Sequence, residues 1–539
     1  MPRVLICDKL EPAGIDLLTG AGLEVDNRPG LAGDALKAAL QAADGAIVRS
    51  GTRITADLLD NPGKLKVIAR AGVGVDNIDV PAATRKGIVV MNTPGGNTVS
   101  AAEHTIAIML ALARQIPAAD ASMKAGKWER GKFVGNQLAG KILGVIGLGR
   151  IGREVARRAA GLDMKVIGYD PFLAPERAAQ LGIEALAKLG DLLPRCDFLT
   201  VHTPLTEETK ALIGARELQT LKPECRLLNV ARGGIIDEAA LVEALQAGRV
   251  AGAALDVFTS EPPPADFPLL KAPNVVLTPH LGASTIEAQE NVAKEAAQLL
   301  IDFLQKGIIQ FAVNMAAVDR AELEEVRTYV DLAHRLGMLQ AQLAQSAIRK
   351  AVLTYRGDVA LRGTRLVTAS FVAGLLENRL DEHVNLVNAE MLARERGIEI
   401  VSASSPKKGD FSTLIQTEVY ADQKPMTASG TLFGNQYLRL VQIGPFRLDT
   451  YLDGTLMVFP HRDVPGLIGH IGTIFGRHNV NIARMAVGRE SPGGEAVAVL
   501  NLDNDPSEAA LTEVKAHPHV HSISVVKLPP PGQMPVWFG

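Results

Sequence analysis

The feature that most constrains this chain is the glycine run at residues 147–152, which follows an apolar stretch at residues 142–146. Where a strand turns into a helix through such glycines, peptide N–H groups at the helix N-terminus can face a pyrophosphate, because no side chain blocks the approach. Asp170 ends the next apolar stretch, where a carboxylate can accept hydrogen bonds from ribose hydroxyls and repel an added 2′-phosphate. Pro171 follows it, so no arginine stands there to hold that phosphate. The run predicts a dinucleotide site that prefers NAD to NADP.

Short apolar runs alternate with helical stretches along two successive parts of the chain, which is the rhythm of parallel β/α units. Helices predicted at about residues 99–114 and 285–303 join these two parts. We therefore expect two Rossmann- or flavodoxin-like doubly wound α/β lobes with a ligand cleft between them. The predicted strands are residues 4–7, 23–25, 45–48, 65–69 and 88–91 in the first lobe, and 142–146, 165–169, 198–201, 226–230, 251–255 and 275–278 in the second.

Two further regions follow the lobes. An α+β region carries predicted strands at residues 413–420 and 437–443, and the last region has the order βαββαβ of a ferredoxin-like domain. The proline-rich end predicts a loose tail. The expected division is a substrate lobe from residues 1–98 plus 284–314, an NAD-binding lobe at 99–283, an intervening α+β domain at 315–453, a terminal domain at 454–528 and a tail at 529–539.

Composition excludes several function classes. The three cysteines are far apart in the 539 residues, which argues against a disulfide framework or a metal site and for a reducing, cytoplasmic setting. The apolar run at residues 105–112 is far shorter than the ~20 residues that a bilayer requires. A formal net charge of −3 without a basic block argues against a nucleic-acid partner. We expect a small-molecule enzyme that binds neither membrane nor nucleic acid.

Three residues of the second lobe suit the transfer of a hydride between a 2-hydroxy acid and nicotinamide. Arg232 follows a predicted strand at the edge where open α/β sheets bind ligands, and its guanidinium can grip a carboxylate. His280 follows another strand at that edge and can exchange the hydroxyl proton near neutral pH. Glu261, in the preceding loop, can bond the imidazole and set its tautomer. We predict that these three residues form the catalytic set.

These segments resemble the D-isomer-specific 2-hydroxyacid dehydrogenases. The similar segments are the glycine run, Asn-Val-Ala-Arg-Gly-Gly at residues 229–234, Ala-Leu-Asp-Val-Phe at 254–258 with Glu261-Pro262, and Thr-Pro-His-Leu-Gly at 278–282. In that family the arginine binds the substrate carboxylate and the histidine–glutamate pair does the acid–base work. The resemblance and the glycine run together imply these cofactor-binding residues: Gly147, Gly149, Arg150, Ile151, Gly152, Asp170, Thr203, Val230, Ala231, Arg232, Asp256 and His280.

Nearly the whole chain resembles long-form members of this family, which carry an intervening domain and a C-terminal ACT domain and oxidise 3-phosphoglycerate at the start of serine synthesis. The resemblance implies that Arg49, Arg70 and Asn97 bind substrate together with Arg232 and His280. It also implies feedback inhibition by serine, bound by Asp463 and Asn481 where terminal domains pair, and therefore a homodimer or homotetramer. A charge-assisted hydrogen bond to phosphate contributes about 1.5 to 3 kcal/mol. Loss of one first-lobe arginine should therefore weaken substrate binding by about tenfold to a hundredfold.

Two alternatives remain open. One keeps the chemistry and changes the substrate, as in a reductase of glyoxylate, hydroxypyruvate or 2-oxoglutarate. The first-lobe arginines and the terminal domain argue against the first two substrates and not against the third. The other alternative is an NAD-sensing binding protein that recruits partners, which the absence of a recruitment tail or basic patch disfavours.

Overall fold

The computed structural model describes residues 1–173, 175–315, 320–344, 346–377, 379–380, 383–421, 425–434, 437–530 and 532–533. Its first sheet is parallel, with the strand order β2-β1-β3-β4-β5 of a flavodoxin-like fold. Apolar cores cover both faces of this sheet. The elements are β1 (Arg3–Ile6), α1 (Pro12–Gly20), β2 (Glu24–Asn27), α2 (Gly33–Ala42), β3 (Gly45–Val48), α3 (Ala56–Leu59), β4 (Val67–Arg70), α4 (Val80–Arg85) and β5 (Val89–Asn92).

Two helical connections link this lobe to the second. The chain leaves through α5 (Thr98–Ala113) and α6 (Ile116–Lys124), and it returns through α12 (Ile286–Lys306). Thr285 caps α12, because its hydroxyl accepts a hydrogen bond from Ala288 N–H. One face of α12 is buried in the core of the first lobe. The predicted interlobe helices are therefore confirmed, and the two lobes meet where Arg232 pairs with Asp76 across the predicted cleft.

The second sheet is also parallel, with the order β12-β11-β10-β9-β6-β7-β8, which is the Rossmann arrangement extended at one edge. The doubly wound fold predicted for both lobes is confirmed, while the short edge strand β8 was not predicted. The elements are β6 (Ile142–Ile146), α7 (Arg150–Ala160), β7 (Lys165–Tyr169), α8 (Pro175–Ala179), β8 (Glu184–Ala185), α9 (Leu189–Leu192), β9 (Phe198–Val201), α10 (Ala215–Thr220), β10 (Arg226–Asn229), α11 (Glu238–Gln246), β11 (Gly252–Leu255) and β12 (Val275–Leu277).

The intervening region is a six-stranded mixed sheet packed against helices, with the order β14-β13-β15-β16-β17-β18. Only β15 and β17 were predicted, although Ala351, Leu353 and Tyr355 of β13 alternate with more exposed residues in the way a half-buried strand requires. The elements are α13 (Arg320–Leu343), β13 (Lys350–Gly357), α14 (Thr364–Leu376), α15 (Ala389–Glu395), β14 (Glu399–Ser405), β15 (Thr413–Tyr420), β16 (Met426–Phe433), β17 (Tyr437–Ile443) and β18 (Phe446–Tyr451).

The terminal region has the predicted ferredoxin-like βαββαβ order and the antiparallel sheet β20-β21-β19-β22. One face of this sheet packs on its own two helices, and the other face shares a core with the intervening domain. The elements are β19 (Thr455–Arg462), α16 (Leu467–Arg477), β20 (Ile482–Arg489), β21 (Glu495–Leu502), α17 (Glu508–Lys515) and β22 (Ser524–Lys527).

The expectation of a loose tail is wrong for the start of that segment. Arg335, fully buried on α13, donates hydrogen bonds to the carbonyl oxygens of Pro529, Pro530 and Gln533 and forms an ion pair with Asp331 at 2.7 Å. A buried guanidinium has to satisfy its N–H groups, and these carbonyls do so. The rest of the predicted tail, residue 531 and residues 534–539, lies outside the described residues.

Among the described residues, no single helix combines the length and apolarity that a bilayer crossing requires, while the bent pair α5 and α6 meets the criterion in length and composition together.

Candidate active site

The glycine run forms the tight turn between β6 and α7. Gly147 has a φ of +88°, and a side chain there would meet the carbonyl oxygen of His202 at 2.5 Å. A side chain on Gly152 would meet the carbonyl oxygen of Gly147 at 2.0 Å. Gly149 is the N-cap of α7, which begins with Arg150 and Ile151. The turn thus leaves the first N–H groups of α7 open to an anion.

Asp170 lies at the end of β7, beside this turn. Its Oδ2 accepts a hydrogen bond from Leu148 N–H at 2.9 Å, and its Oδ1 accepts one from Phe172 N–H at 2.8 Å. The carboxylate is therefore held in place by backbone and keeps lone pairs for ribose hydroxyls.

Unpartnered polar atoms beside the glycine turn test whether a dinucleotide fits. The buried Oγ1 of Thr203 and the buried Nδ1 of His202 have no hydrogen-bond partner within the described part of the chain. Both residues follow β9 at the carboxyl edge of the sheet, and burial lowers the pKa of His202 to about 4, which keeps it uncharged. A polar ligand bound against the glycine turn would supply hydrogen-bond partners for these buried polar atoms. The residues present therefore fit a dinucleotide cofactor.

His280 and Glu261 are in direct contact. The Nδ1 of His280 lies 2.6 Å from Oε2 of Glu261, whose Oε1 accepts the N–H of Phe258 at 3.0 Å. Burial by itself would raise the pKa of Glu261, but the hydrogen bonds from His280 and Phe258 and the charge of Arg232 lower it. Because an ionised carboxylate only accepts, Nδ1 carries the proton, and Nε2 is free to exchange one with a ligand.

Asp256 supports the segment that carries His280. Its carboxylate is fully buried and accepts hydrogen bonds from Thr278 Oγ1 (2.6 Å), Leu281 N–H (2.7 Å) and Gly282 N–H (2.8 Å). Its carbonyl accepts the N–H of His280 at 2.8 Å, and His280 has the left-handed φ of +55°. Backbone strain of this kind persists only where its surroundings impose it. Asp256, predicted to line the cofactor, therefore also positions the proton-transfer histidine.

His104 of α5 completes that network, and sequence reasoning missed it. Its Nε2 lies 3.2 Å from Oδ1 of Asp256 and 3.1 Å from Oγ1 of Thr278. Burial by itself would raise the pKa of Asp256, but the hydrogen bonds from His104, Thr278 and Leu281 lower it. A histidine in a helical stretch carries no motif, so only the fold could have indicated this role.

Arg232 reaches across the cleft from the second lobe to the first. Its Nε donates to Oδ2 of Asp76 at 2.9 Å, and its Nη1 donates to the carbonyl oxygen of Ala231 at 2.7 Å. Asn229 holds the turn after β10, because its side chain bonds both Ala231 N–H and the carbonyl oxygen of Arg232. Val230, in the same turn, is buried. Asp76, also missed from the sequence, lies in the loop after β4.

The predicted substrate arginines converge with Arg232. Burial first, and then the charges of Arg232 and Arg49, lower the pKa of Arg70 to about 10 against the opposing charge of Asp76. Arg70 remains charged at neutral pH, and its buried Nε has no partner among the described residues. Arg49 donates to the carbonyl oxygen of Lys9 at 2.9 Å and to the side chain of Gln289. Three guanidiniums gathered in this way favour an anionic ligand.

Asn97 lies where the chain leaves the first lobe, as the N-cap residue of α5. Its side chain does not cap the helix, and its buried Oδ1 has no partner in the described residues. The side chain is therefore available to a ligand in the cleft.

Asp463 and Asn481 are not brought together within the chain. Asp463 accepts from Arg489 Nη1 at 2.6 Å and from Gly493 N–H at 3.1 Å, while Asn481 donates to Asp503 at 2.5 Å. Strand pairing places them at opposite ends of β21, about 23 Å apart at about 3.3 Å per residue.

Three family models match successive parts of the chain: the D-isomer specific 2-hydroxyacid dehydrogenase NAD binding domain (residues 106–282), the D-3-phosphoglycerate dehydrogenase intervening domain (325–444) and the ACT domain (458–519). The chain is 44% identical over 514 residues to the D-3-phosphoglycerate dehydrogenase of Archaeoglobus fulgidus, covering 95% of this chain and 97% of that protein. The chain belongs to the D-3-phosphoglycerate dehydrogenase family.

Another relative and a solved structure are also similar to this chain. The D-3-phosphoglycerate dehydrogenase of Bacillus subtilis is 40% identical over 530 residues, covering 98% of this chain and all of that protein. The TT0316 protein of Thermus thermophilus matches with a TM-score of 0.52 and 38% identity, covering 56% of this chain and 97% of that one. The NAD-binding lobe and the ACT domain expected from the sequence are therefore present, and the chain is an NAD-dependent oxidoreductase.

Proposed function

We propose that this chain oxidises D-3-phosphoglycerate to 3-phosphohydroxypyruvate with NAD, the step that commits carbon to serine. The observation that carries the proposal is the pairing of His280 with Glu261 near the convergent guanidiniums of Arg232, Arg70 and Arg49. His280, paired with Glu261, can exchange a proton with a ligand, and the three arginines can bind a molecule with two anionic ends. Relatives named for this activity match over nearly the whole chain.

Each residue has a defined part in this reaction. Arg232 holds the substrate carboxylate and polarises the adjacent C2 oxygen, while Arg49 and Arg70 hold the phosphate. The Nε2 of His280 accepts the hydroxyl proton as the hydride leaves C2, and Glu261 stabilises the imidazolium that results. Bound NAD supplies the acceptor for that hydride. Gly147, Gly149 and Gly152 leave room for its pyrophosphate, and Asp170 and Thr203 offer it hydrogen bonds.

The experiment is a steady-state assay of purified protein with 3-phosphoglycerate and NAD, beside 2-oxoglutarate with NADH. D-Glycerate, which lacks the phosphate, is the matched control substrate. We expect oxidation of 3-phosphoglycerate with a kcat/KM far above that for D-glycerate or 2-oxoglutarate. Equal or faster turnover of 2-oxoglutarate would assign the chain to that substrate. Absence of turnover, together with NADH binding, would favour an NAD-sensing role.

We also propose feedback inhibition by serine at the ACT domains and a homodimer or homotetramer in the cytoplasm. Because Asp463 and Asn481 lie at opposite ends of one sheet, a single serine can contact both only if two copies meet there. The exposure of Trp128 (80%) and Val134 (77%) supports further subunit contact. Adding serine to the assay tests the inhibition, and light scattering gives the subunit number. Unchanged activity and unchanged thermal midpoint at saturating serine would refute the effector site.

A further inference from the structure

The loop at residues 93–97 connects β5 to α5 and lies directly against α12. A side chain on Gly96 would meet Cγ1 of Val292 at 2.6 Å and its backbone nitrogen at 3.0 Å, so the loop backbone touches that helix. Glu295 stands one turn further along α12. The two interlobe connections therefore meet at this loop, immediately before Asn97.

Glu295 faces groups from both lobes there. Its half-buried carboxylate interacts with the backbone N–H groups of Gly95 and Gly96 and with the charge of Arg150. A Cβ placed on Gly95 would lie 3.7 Å from each carboxylate oxygen and 3.6 Å from Nη1 of Arg150. The guanidinium of Arg150 also lies over the ring of Phe311, 5.9 Å from its centre. One carboxylate thus contacts the interlobe loop and faces the first residue of α7.

We propose that Glu295 is a positioning residue. It holds the interlobe loop, and with it Asn97, in a fixed position relative to the glycine turn at residues 147–152. This inference rests on the proposed function, together with the roles that the family resemblance implies for Arg150 in binding the cofactor and for Asn97 in binding the substrate. The buried Oδ1 of Asn97, which has no hydrogen-bond partner among the described residues, is independent evidence that this end of the loop binds a polar ligand. Burial raises the pKa of Glu295, while the Gly95 amide and Arg150 favour its charged form.

The proposal predicts that the binding of substrate, and not that of the cofactor, is weakened. A neutral glutamine at position 295 binds the two amides less firmly, so Asn97 is held less well and the substrate binds more weakly. The same change removes a negative charge near Arg150, so the anionic pyrophosphate is bound equally or more tightly. General damage to the fold would instead weaken the binding of both ligands.

The test compares Glu295→Gln with the wild type in two measurements: NADH affinity by fluorescence titration, and KM for 3-phosphoglycerate at saturating NAD. Glu290→Gln is the matched control, because Glu290 lies on the same helix and pairs only with the exposed Lys294 among the described residues. We expect the KM to rise about tenfold in Glu295→Gln, as for the loss of one charged hydrogen bond, with an unchanged or lower NADH Kd. Glu290→Gln should leave both values within twofold of the wild type.

A second variant reaches the same loop without altering its charges. In Gly96→Ala the added methyl group displaces the loop from Val292, so the KM should rise while the NADH Kd stays constant. The proposal is overturned if Glu295→Gln leaves the KM unchanged, or if the NADH Kd rises in step with it. A wild type that binds NADH and does not oxidise 3-phosphoglycerate would refute the proposed function instead, and the inference with it.

Discussion

Replacing Glu261 with glutamine tests the acid–base assignment most directly, because the two side chains have nearly the same shape. Glutamine can keep an oxygen on the N–H of Phe258, which places its –NH₂ group against Nδ1 of His280. Two donors cannot face each other, so Nδ1 must become an acceptor and the proton must move to Nε2. In that tautomer Nε2 cannot accept the hydroxyl proton of the substrate.

The size of the effect follows from this geometry. A hydrogen bond to a charged group contributes about 1.5 to 3 kcal/mol. The side chains of His280 and Glu261 are 46% and 37% exposed, so water replaces part of the bond and the lower figure applies. That loss alone is about tenfold in rate, and the wrong tautomer raises it toward the roughly 10²- to 10⁴-fold that general base catalysis supplies. We expect kcat to fall between about tenfold and a thousandfold.

The assay measures kcat/KM for 3-phosphoglycerate oxidation and for 3-phosphohydroxypyruvate reduction, beside NADH affinity by fluorescence. Since the equilibrium constant is fixed, both directions must fall together, while the NADH Kd stays within twofold. Glu238→Gln is the control, because Glu238 accepts only the nearby N–H of Thr259, at 2.7 Å, among the described residues. Turnover of Glu261→Gln within twofold of the wild type would refute the role of the pair.

Three further predictions concern the cofactor, the phosphate and the acid stability of the site. Gly152→Ala places a methyl group 2.0 Å from the carbonyl oxygen of Gly147, so the turn must shift. We expect NADH affinity, measured by fluorescence titration, to fall at least tenfold. Normal affinity would contradict the prediction that this turn binds the pyrophosphate. Arg70→Gln should raise KM about tenfold to a hundredfold for 3-phosphoglycerate and much less for D-glycerate, because a charged contact to phosphate is lost. Equal losses on both substrates would show that Arg70 does not hold the phosphate. The native pKa of Asp256 lies below its ordinary value, so its stabilising contribution is complete above about pH 4 and is lost as pH falls through the lowered native value. The thermal midpoint of Asp256→Asn should therefore lie below that of the wild type at pH 7, with the gap narrowing as pH falls below about 4. A gap that stays constant in acid would contradict this.

Much of the architecture could be predicted from the sequence because it depends on local patterns. Alternating apolar and helical stretches predicted all the lobe strands except β8, each to within two residues, and the order βαββαβ of the last domain. The glycine run predicted its own turn, since close backbone approach and positive φ leave no room for another residue. In the intervening sheet, strand β14 was missed because its partner is the distant strand β13, a pairing that a local pattern does not indicate.

The candidate site separates what sequence and fold each decide. Residue types and strand ends were enough to nominate Arg232, His280 and Glu261, because ligands collect at the carboxyl edge of a parallel sheet. His104, Asp76 and Glu295 carry no motif, and they matter only through contacts across long stretches of chain. The sequence by itself determined which reactive side chains each segment carries and at which strand end they stand. Only the tertiary structure decided which segments meet, because those contacts depend on how the helices between the lobes pack.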